Sequence, residues 1–544
     1  MKNLIFCLVL TCLAITGLLA ARALADKPAL DIRLARVGTY STGVFDDKGA
    51  QILSYHAPSK RLFITNASVD TIDVVDITAI GKPKLLFQIQ LSGPPLSVAV
   101  HPYLDLIAVA IEGEEVTDPG TVEFFSIDGE SLGEAIEVGS LPDMIVWTPN
   151  GEKLLVANEG EPSDDYTIDP VGSVSIITLG EGGAVSAVET AGFEAFNGQE
   201  EQLREQGIRI FGPNASTAQD LEPEYIAVSD DSTTAWVTLQ ENNAIARIDI
   251  EAAEVVDIVG LGYKDHGTEG NGFDASNKDN AINIRTRPVL GMYQPDAIAT
   301  FVIDGRRYLI TANEGDAREY IYEVNGDEIV SFVEEARVAD LTLDPEAFPD
   351  REELQDKKNL GRLKVTTSFP AEEGPDGYTK LYSFGGRSFT IWSEYGELVF
   401  DSGDELEQII AETYPDFFNT TYDAHEFDDR SDDKGPEPEH VVIGKIGEST
   451  IAFVGIERMG GIMAYDVSNP ANPRFLDYVN NRNFKVDPEI EDGVTNPKVR
   501  DLGTEGLIFI PADKSPMDQS LVVASNEISG TTTIYIVVTR GIEP

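Results

Sequence analysis

The sequence predicts an all-β fold, because its apolar residues fall in short runs rich in β-branched and aromatic side chains. Gly, Pro, Asn and Asp separate these runs, as expected for strands joined by turns. One phrase also recurs along the chain: a strand, a charged or Gly-containing turn, a second strand, a polar loop with Asn and Glu, and a third strand. Such a repeat outweighs chain length as a guide to the number of domains.

Seven copies of this unit align. In the third copy, the first strand is Pro142–Trp147, the second is Lys153–Asn158, and Glu159 follows. The spacing is about 45 residues, which is typical of four-stranded blades. The sequence therefore predicts a seven-bladed β-propeller with loop insertions, in which an N-terminal strand at residues 32–40 closes the last blade. The other six copies begin near Gln51, Pro95, Pro223, Pro295, Pro438 and Thr504.

Insertions lengthen the later units, over residues 181–220, 261–293, 317–379 and 404–436. One short helix is predicted in the insertion of the fifth blade, at residues 345–360, and residues 423–434 are predicted to be a loop. The insertions could be disordered decoration. However, Arg209-Ile-Phe-Gly-Pro and Asn283-Ile-Arg285 mix apolar with basic residues, which favours ordered loops folded over one face.

The first 25 residues are typical of a secretory signal peptide. A basic start is followed by an apolar run, and Ala23-Leu24-Ala25 matches a cleavage site. The alternative is a retained membrane anchor, although the run is short for a span. The prediction is an exported protein, periplasmic or extracellular, with one propeller domain at residues 26–544. Because Cys7 and Cys12 lie in the signal, the mature chain has no disulfide and no thiolate ligand.

The chain is strongly acidic, with 94 Asp and Glu against 40 Lys and Arg and a formal charge of −54. Lys2 and Arg22 fall in the signal, so the mature domain carries 38 bases and a charge of −56. This field repels nucleic acids and anionic membranes. It suits either a solvated acidic surface or a protein whose carboxylates bind divalent cations.

Carboxylates recur at two positions of the repeat. One set precedes the first strand and the other follows the second strand, so propeller geometry places both on one face near the axis. The first set is Asp143, Glu224, Asp296, Glu439 and Glu505, and the second is Glu112, Glu159, Glu241, Glu314, Glu457 and Glu527.

Crowded carboxylates raise one another's pKa or recruit a cation. Hard oxygen ligands favour Ca²⁺, with Mg²⁺, Mn²⁺ or iron as alternatives. The competing interpretation is that each acid accepts hydrogen bonds from a neighbouring blade and holds the ring together. The predicted metal ligands are Asp143, Glu159, Glu224, Glu241, Asp296, Glu314, Glu439, Glu457, Glu505 and Glu527.

Basic residues stand beside several of these acids. Arg318 follows Glu314-Gly-Asp316, Arg458 follows Glu457, and Lys434 precedes Glu437. A metal with Arg and Lys would suit a phosphoryl or sulfuryl oxyanion; ordinary ion pairing is the alternative. Asp274-x-Ser-Asn-Lys-Asp279 resembles a calcium loop only weakly, because it lacks the central Gly and terminal Glu of an EF-hand.

Nine strings of the sequence resemble the choice-of-anchor I domain, which also occurs in proteins named mesenchyme-specific cell surface glycoproteins. They are Arg209-Ile-Phe-Gly-Pro, Leu221-Glu-Pro-Glu224, Met292-Tyr-Gln-Pro-Asp296, Thr311-Ala-Asn-Glu-Gly-Asp316, Leu360-Gly-Arg-Leu, Tyr382-Ser-Phe-Gly-Gly-Arg-Ser-Phe, Ser431-Asp-Asp-Lys-Gly-Pro-Glu-Pro-Glu439, Glu457-Arg-Met-Gly-Gly and Ser525-Asn-Glu-Ile-Ser-Gly-Thr.

The resemblance implies a secreted or surface propeller. Family members are often fused to nucleotidase or phosphatase modules, and some resemble atypical alkaline phosphatases. Thr504-Glu505-Gly506 is also similar to a step of phytase-like propellers, which use calcium. This chain departs from the family at Gln51 and Leu96, where other members often carry an acid and an amide. Its first two blades are therefore expected to contribute little to the site.

Two functions from different classes follow. The first is a secreted metal-dependent phosphoesterase, in which Arg318, Arg458 and Lys434 hold the phosphate of a small ester and a metal activates water. The alternative is a non-catalytic cell-surface or matrix propeller with structural calcium and a surface partner, since fold does not determine function. Arg318 and Arg458 turned away from the ring would favour the alternative.

Overall fold

The computed structural model describes residues 30–324, 326–491 and 493–540. The predicted signal peptide lies outside the described residues. Within them the all-β prediction is confirmed, because strands dominate and the α-helices are few and short. None of the helices in the described ranges is long and apolar enough to cross a membrane.

Seven four-stranded antiparallel sheets follow one another along the described chain. We number them sheet 1 to sheet 7 in the order of their first strands. Sheet 1 contains Leu53–His56, Arg61–Asn66, Thr71–Asp76 and Lys84–Gln90; sheet 2 contains Pro95–Val100, Leu106–Ile111, Pro119–Ser126 and Ile136–Ser140; sheet 3 contains Pro142–Trp147, Lys153–Asn158, Ser173–Leu179 and Val185–Gly192; sheet 4 contains Pro223–Val228, Thr234–Leu239, Ala244–Asp249 and Glu254–Gly260.

Two of the last three sheets are unusual: sheet 5 is interrupted by an insertion, and sheet 7 joins both ends of the described chain. In sheet 5, residues 314–387 are inserted between the second and third strands, and sheet 7 takes its outer strand from the N-terminal part of the described chain, as predicted. Sheet 5 contains Ile298–Ile303, Arg306–Asn313, Ser388–Ser393 and Leu398–Asp401; sheet 6 contains Pro438–Ile446, Ser449–Ile456, Ile462–Asp466 and Arg474–Val479; sheet 7 contains Thr504–Ile510, Leu521–Asn526, Thr531–Arg540 and Asp31–Ser41.

Each sheet packs face to face on the next through an apolar cluster. Phe63 and Val98 belong to the cluster between sheets 1 and 2, and Trp236 and Trp392 to the one between sheets 4 and 5. A further cluster joins sheet 7 to sheet 1, and their first strands also touch. The sheets therefore surround a common centre in the manner of a β-propeller.

Burial decreases from the centre outward. The second strand Leu106–Ile111 is buried at every position, because sheets cover both of its faces. The outer strand Val185–Gly192 is mostly exposed. This gradient explains why the inner strands are continuous apolar runs, whereas the outer strands mix polar residues.

The insertions are ordered and carry their own elements. Those at 261–293 and 317–379 share an apolar cluster that includes Phe273, Val338 and Leu360. Their strands are Tyr263–Asp265, Leu290–Met292, Glu319–Val324, Asp327–Val333, Glu335–Arg337, Lys364–Thr366, Glu373–Gly374, Gly377–Tyr378 and Tyr382–Ser383, and one more pair, Glu489–Glu491 with Val494–Thr495, precedes sheet 7.

The predicted short helix in the insertion of the fifth blade is present, but it covers only Arg351–Leu354 of the predicted residues 345–360. Pro345 and Pro349 each disfavour helical backbone at the residue before them. The longest α-helix in the described ranges is Glu405–Thr413, which buries Leu406 and Ile410. The remaining α-helices are Glu200–Glu205 and Thr217–Asp220, and the 3₁₀ turns are Ala67–Val69, Glu181–Gly183, Glu194–Phe196, Val338–Asp340 and Pro415–Phe417.

Candidate metal centre

A β-bulge recurs at the acid that begins the first strand of a sheet. The strand register shifts between Pro142 and Met144, and again between Pro223 and Ile226. The same shift brackets Glu439 in sheet 6 and Glu505 in sheet 7. A bulge bends the strand and redirects a side chain, so these acids leave the alternation of the sheet and can point to the centre.

A backbone hydrogen bond fixes the second set of acids. The N–H of Glu159 donates to the carbonyl of Leu141 at 2.9 Å, and the N–H of Glu457 donates to Glu437 at 2.9 Å. In each case the acceptor lies two residues before the first-strand acid. Leu141 and Glu437 both have positive φ, 48° and 52°, so a left-handed residue brings the two sets of acids to the same end of the sheet.

A cavity of about 490 Å³ lies at the centre, and all seven sheets contribute to its wall. Among the described residues that line it there is no Lys or Arg. Gln51 and Leu96 occupy the positions of sheets 1 and 2, so the acids come from the other five sheets. The acids that line the cavity are Asp143, Glu159, Glu224, Asp296, Glu314, Glu439 and Glu505; Glu241, Glu457 and Glu527 do not line it.

Three of these acids come together closely enough to share one ion. Carboxylate oxygens of Asp296, Glu314 and Glu439 all lie within 4.8 Å of one another; we call these three residues the central group. Oε2 of Glu439 is buried without a hydrogen-bond partner, as are Oε2 of Glu224 and Oε2 of Glu241. An unpartnered buried carboxylate oxygen is costly, and a hard cation would satisfy it.

The raised pKa values of the cavity acids also favour the binding of a cation. Burial raises the pKa of Asp296 to about 7 and that of Asp143 to about 6. Burial, and then the charges of Glu314 and Asp296, raise the pKa of Glu439 well above its usual range. Each of these shifts reports that the ionised form is disfavoured when no cation is present.

A second group of acids shares Glu314 with the first. Carboxylate oxygens of Glu314, Glu437 and Glu457 also lie within 4.8 Å of one another; we call these three residues the paired group. Here bases are present: Nζ of Lys434 lies 2.6 Å from Glu314 Oε1 and 3.2 Å from Glu437 Oε2. Nε of Arg458 lies 3.0 Å from oxygens of both Glu437 and Glu457.

Glu437 consequently behaves unlike the acids of the cavity. It is fully buried, which by itself would raise its pKa, but Arg430, Lys434 and Arg458 together hold its pKa far below its usual range. Three bases thus surround the three acids of the paired group.

Arg318 does not reach the cavity. It is buried, it forms an ion pair with Asp220, and its Nη2 lies 2.7 Å from Glu222 Oε2. Its guanidinium also stacks on Phe211, 4.6 Å from the ring centroid. The insertion before sheet 4 supplies these partners, so Arg318 joins two insertions and presents no free donor for a phosphate.

The amides beside the acids have mainly structural contacts. Nδ2 of Asn158 donates to Ser175 Oγ at 2.9 Å, and Nδ2 of Asn313 donates to Thr390 Oγ1 at 2.7 Å, both within their own sheets. Gln240 differs, because its Nε2 donates to Glu314 Oε2 at 2.9 Å and positions the central group. His440 lines the cavity, and burial lowers its pKa to about 4, so it is neutral at pH 7.

Sequence reasoning missed Glu222 and Glu437, although a signal was present. Each begins a Glu-Pro-Glu sequence, at 222–224 and 437–439, whereas sheets 3 and 5 have Leu-Pro-Asp and Gln-Pro-Asp there. The second Glu of each faces the cavity, and the first holds Arg318 or Arg458. The repeated tripeptide therefore marks where the bases are held.

The fold and the site together define a β-propeller whose central cavity is lined by carboxylates. The family model described as the choice-of-anchor I domain matches residues 51–470, and the chain belongs to that family. It is 32% identical over 199 residues to Gigasin-3a of Magallana gigas, covering 35% of this chain and 68% of that protein.

A second relative is the mesenchyme-specific cell surface glycoprotein of Strongylocentrotus purpuratus, 29% identical over 323 residues. The match covers 52% of this chain but only 41% of that protein. Solved structures that resemble the chain include Kuenenia stuttgartiensis hydrazine synthase, with a TM-score of 0.44, 14% identity and coverage of 93% of this chain and 100% of that one. Streptogramin B lyase also has a TM-score of 0.44, at 11% identity, covering 94% and 98%.

Proposed function

We propose that this protein is an exported seven-bladed β-propeller that binds a divalent cation at the central group and acts as a non-catalytic surface or matrix protein. The observation that carries the proposal is the lining of the cavity. Among the described residues, seven acids line it and no Lys or Arg does. Such a cavity attracts cations and repels anions, including phosphate esters. The seven sheets are its blades, within one domain at residues 26–544.

The donor set favours calcium. Asp296, Glu314 and Glu439 offer only hard oxygens, and Ca²⁺ accepts carboxylates in flexible geometry, whereas Mg²⁺ demands a near-ideal octahedron. Mn²⁺ and iron remain alternatives, to be separated by competition. The ion would replace the missing partner of Glu439 Oε2.

A surface location is supported by the family and by the name of the Strongylocentrotus purpuratus relative, a cell surface glycoprotein. Export is further supported by the signal-like sequence of residues 1–25.

A second candidate is a metal-dependent phosphoesterase, and one observation favours it. A pocket of about 210 Å³ has four basic and four acidic residues in its wall, and Lys434 of this wall contacts Glu314 of the central group. The basic residues are Lys364, Arg430, Lys434 and Arg458. A metal held there would supply an activated water, and these bases would bind the phosphate. However, Lys364, Arg430, Lys434 and Arg458 each already pair with an acid.

The test compares Glu439→Gln with the exposed control Glu130→Gln. Calcium binding to the metal-stripped full chain is measured by isothermal titration calorimetry. We expect Glu439→Gln to weaken binding by at least about 10–100-fold, the loss that follows even when an outer-shell partner is removed. Glu130→Gln should bind calcium as the wild type does.

Hydrolysis of p-nitrophenyl phosphate is measured on the same samples with Ca²⁺, Mg²⁺, Mn²⁺ or iron added back. Turnover that depends on one ion and is lost in Glu439→Gln would establish the phosphoesterase and overturn the non-catalytic proposal. Unchanged calcium binding in Glu439→Gln would overturn the central metal site itself.

A further inference from the structure

A separate group of buried oxygens lies where the insertions 261–293 and 404–436 meet. Asp274, Glu407 and Asp428 are at most 1% exposed. The N–H of Asp274 donates to Glu407 Oε2 at 2.9 Å, and Nη1 of Arg387 donates to both the Asp274 carbonyl and Glu407 Oε1. The loop at 274–279 and the helix Glu405–Thr413 are thereby held together.

The charges of this group do not balance. Arg387 Nη1 lies 2.8 Å from Glu407 Oε1 and compensates that acid. Among the described residues neither Asp274 nor Asp428 forms an ion pair, although the oxygens of Asp274 accept hydrogen bonds from the N–H groups of Ser276 and Asn283. Two buried carboxylates therefore have no basic side chain at ion-pair distance.

Two of the buried oxygens also lack a hydrogen bond. Oδ1 of Asp428 accepts from Ser431 Oγ, but its Oδ2 has no partner. Nδ2 of Asn419 donates to Glu407 Oε1 at 3.2 Å and to Ser431 Oγ at 2.9 Å. Because an ionised carboxylate only accepts, the amide nitrogen must face Glu407. The unpartnered atom of Asn419 is therefore its carbonyl oxygen.

The backbone holds both side chains in place at a cost. Asn419 and Asp428 have positive φ, 44° and 69°, a region that non-Gly residues rarely occupy. The N–H of Asp428 donates to the Phe418 carbonyl at 2.7 Å, and the N–H of Arg430 donates to the Asn419 carbonyl at 2.8 Å. These bonds set Asn419 and Asp428 side by side around Ser431.

We propose that Asp274, Asn419 and Asp428 bind a second divalent cation, of the calcium class, that joins the two insertions. Two carboxylates and one divalent ion are neutral, and carboxylate and amide carbonyl oxygens are calcium ligands. Glu407 accepts hydrogen bonds from both the N–H of Asp274 and Nδ2 of Asn419, which places Asp274 beside Asn419 and Asp428. The site lies outside the central cavity and does not depend on the proposed function.

Calcium stoichiometry tests this site on the metal-stripped full chain. We expect Asp428→Asn, whose side chain has the same shape, to bind one calcium ion fewer than the wild type. The exposed control Asp416→Asn, on the same insertion, should bind as many as the wild type. An Asp428→Asn protein that binds as many ions as the wild type would overturn the site and leave an ordered water as the partner of the two oxygens.

Glu439→Gln keeps the test valid even if Asp428→Asn does not fold. That variant should lose the central ion and still bind one calcium, and this ion should slow proteolysis within residues 404–436 by about tenfold or more. If Glu439→Gln binds no calcium, or if calcium gives this segment no protection, the second site is wrong. Two ions retained in Glu439→Gln would instead contradict the central site alone.

Discussion

The central group and the paired group share Glu314 and have the same ligand spacing, yet their surroundings are opposite. In both, three carboxylate oxygens lie within 4.8 Å of one another. Around the paired group Arg430, Lys434 and Arg458 supply three positive charges. Among the described residues around the central group, only Lys434 supplies a positive charge, by its ion pair with Glu314.

The difference shows that the spacing of acids does not by itself define a metal site. Lys and Arg side chains contact the acids of the paired group, whereas in the central group Asp296 and Glu439 form no ion pair among the described residues. Charge compensation decides between the two, because a buried carboxylate must have a counter-charge or be protonated.

The largest expected effect is a loss of stability of the metal-free protein as the pH rises, caused by the uncompensated acids of the central cavity. The folded-state pKa values of Asp143 and Asp296 are raised, to about 6 and about 7. Their contribution to the free energy of unfolding is therefore fully present below about pH 4, and it is lost as the pH rises through those pKa values. At about 1.4 kcal/mol per unit, the total loss is on the order of several kcal/mol.

Thermal unfolding of metal-stripped protein between about pH 5 and pH 8 measures this loss. Calcium should raise the melting temperature most at the upper end of that range. A metal-free melting temperature that increases steadily with pH would show that the cavity acids are compensated by something other than a metal.

Removing Lys434 should convert the paired group into an uncompensated one. Lys434→Met takes away the ammonium between Glu314 and Glu437, and breaking a buried ion pair in this way costs about 3–5 kcal/mol. We expect calcium to restore much of that free energy of unfolding and one additional ion to bind. Urea unfolding with and without calcium measures it, and the exposed Lys445→Met is the control.

The smallest effect is expected for Glu224→Gln. Glu224 lines the cavity and has an unpartnered oxygen, but it is not one of the three ligands of the central group. Removing its charge should raise metal-free stability near pH 8 by about 1 kcal/mol, at the low end of the cost of an unsatisfied buried group. Calcium affinity should fall only a few-fold. A loss as large as that of Glu439→Gln would place Glu224 among the ligands.

The repeat allowed the strands and the positions of the cavity acids to be predicted, because both depend on short stretches of sequence. Asp143, Glu224 and Glu439 each follow a Pro at the start of a strand, and the bulge at that step carries them to the centre. The packing of each sheet on the next could also be predicted, because the same apolar runs form the contacts between them.

Contacts between insertions could not be predicted in this way. Arg318 stands near the cavity acid Glu314 in sequence, but it forms an ion pair with Asp220 from a distant insertion. Likewise, Asn419 and Asp428 meet only because two residues adopt left-handed backbone conformations, which no periodicity indicates.

The pairing of Asp31–Ser41 with Thr531–Arg540 has a consequence for how the molecule is made. The strand that is synthesised first among the described ones completes the sheet that is synthesised last, and this contact has the greatest separation along the chain. Closing it costs the most loop entropy, and such non-local pairing slows folding. Until the last strand arrives, sheet 7 has open edges that can pair with other chains, so ring closure is also the step at which folding competes with aggregation.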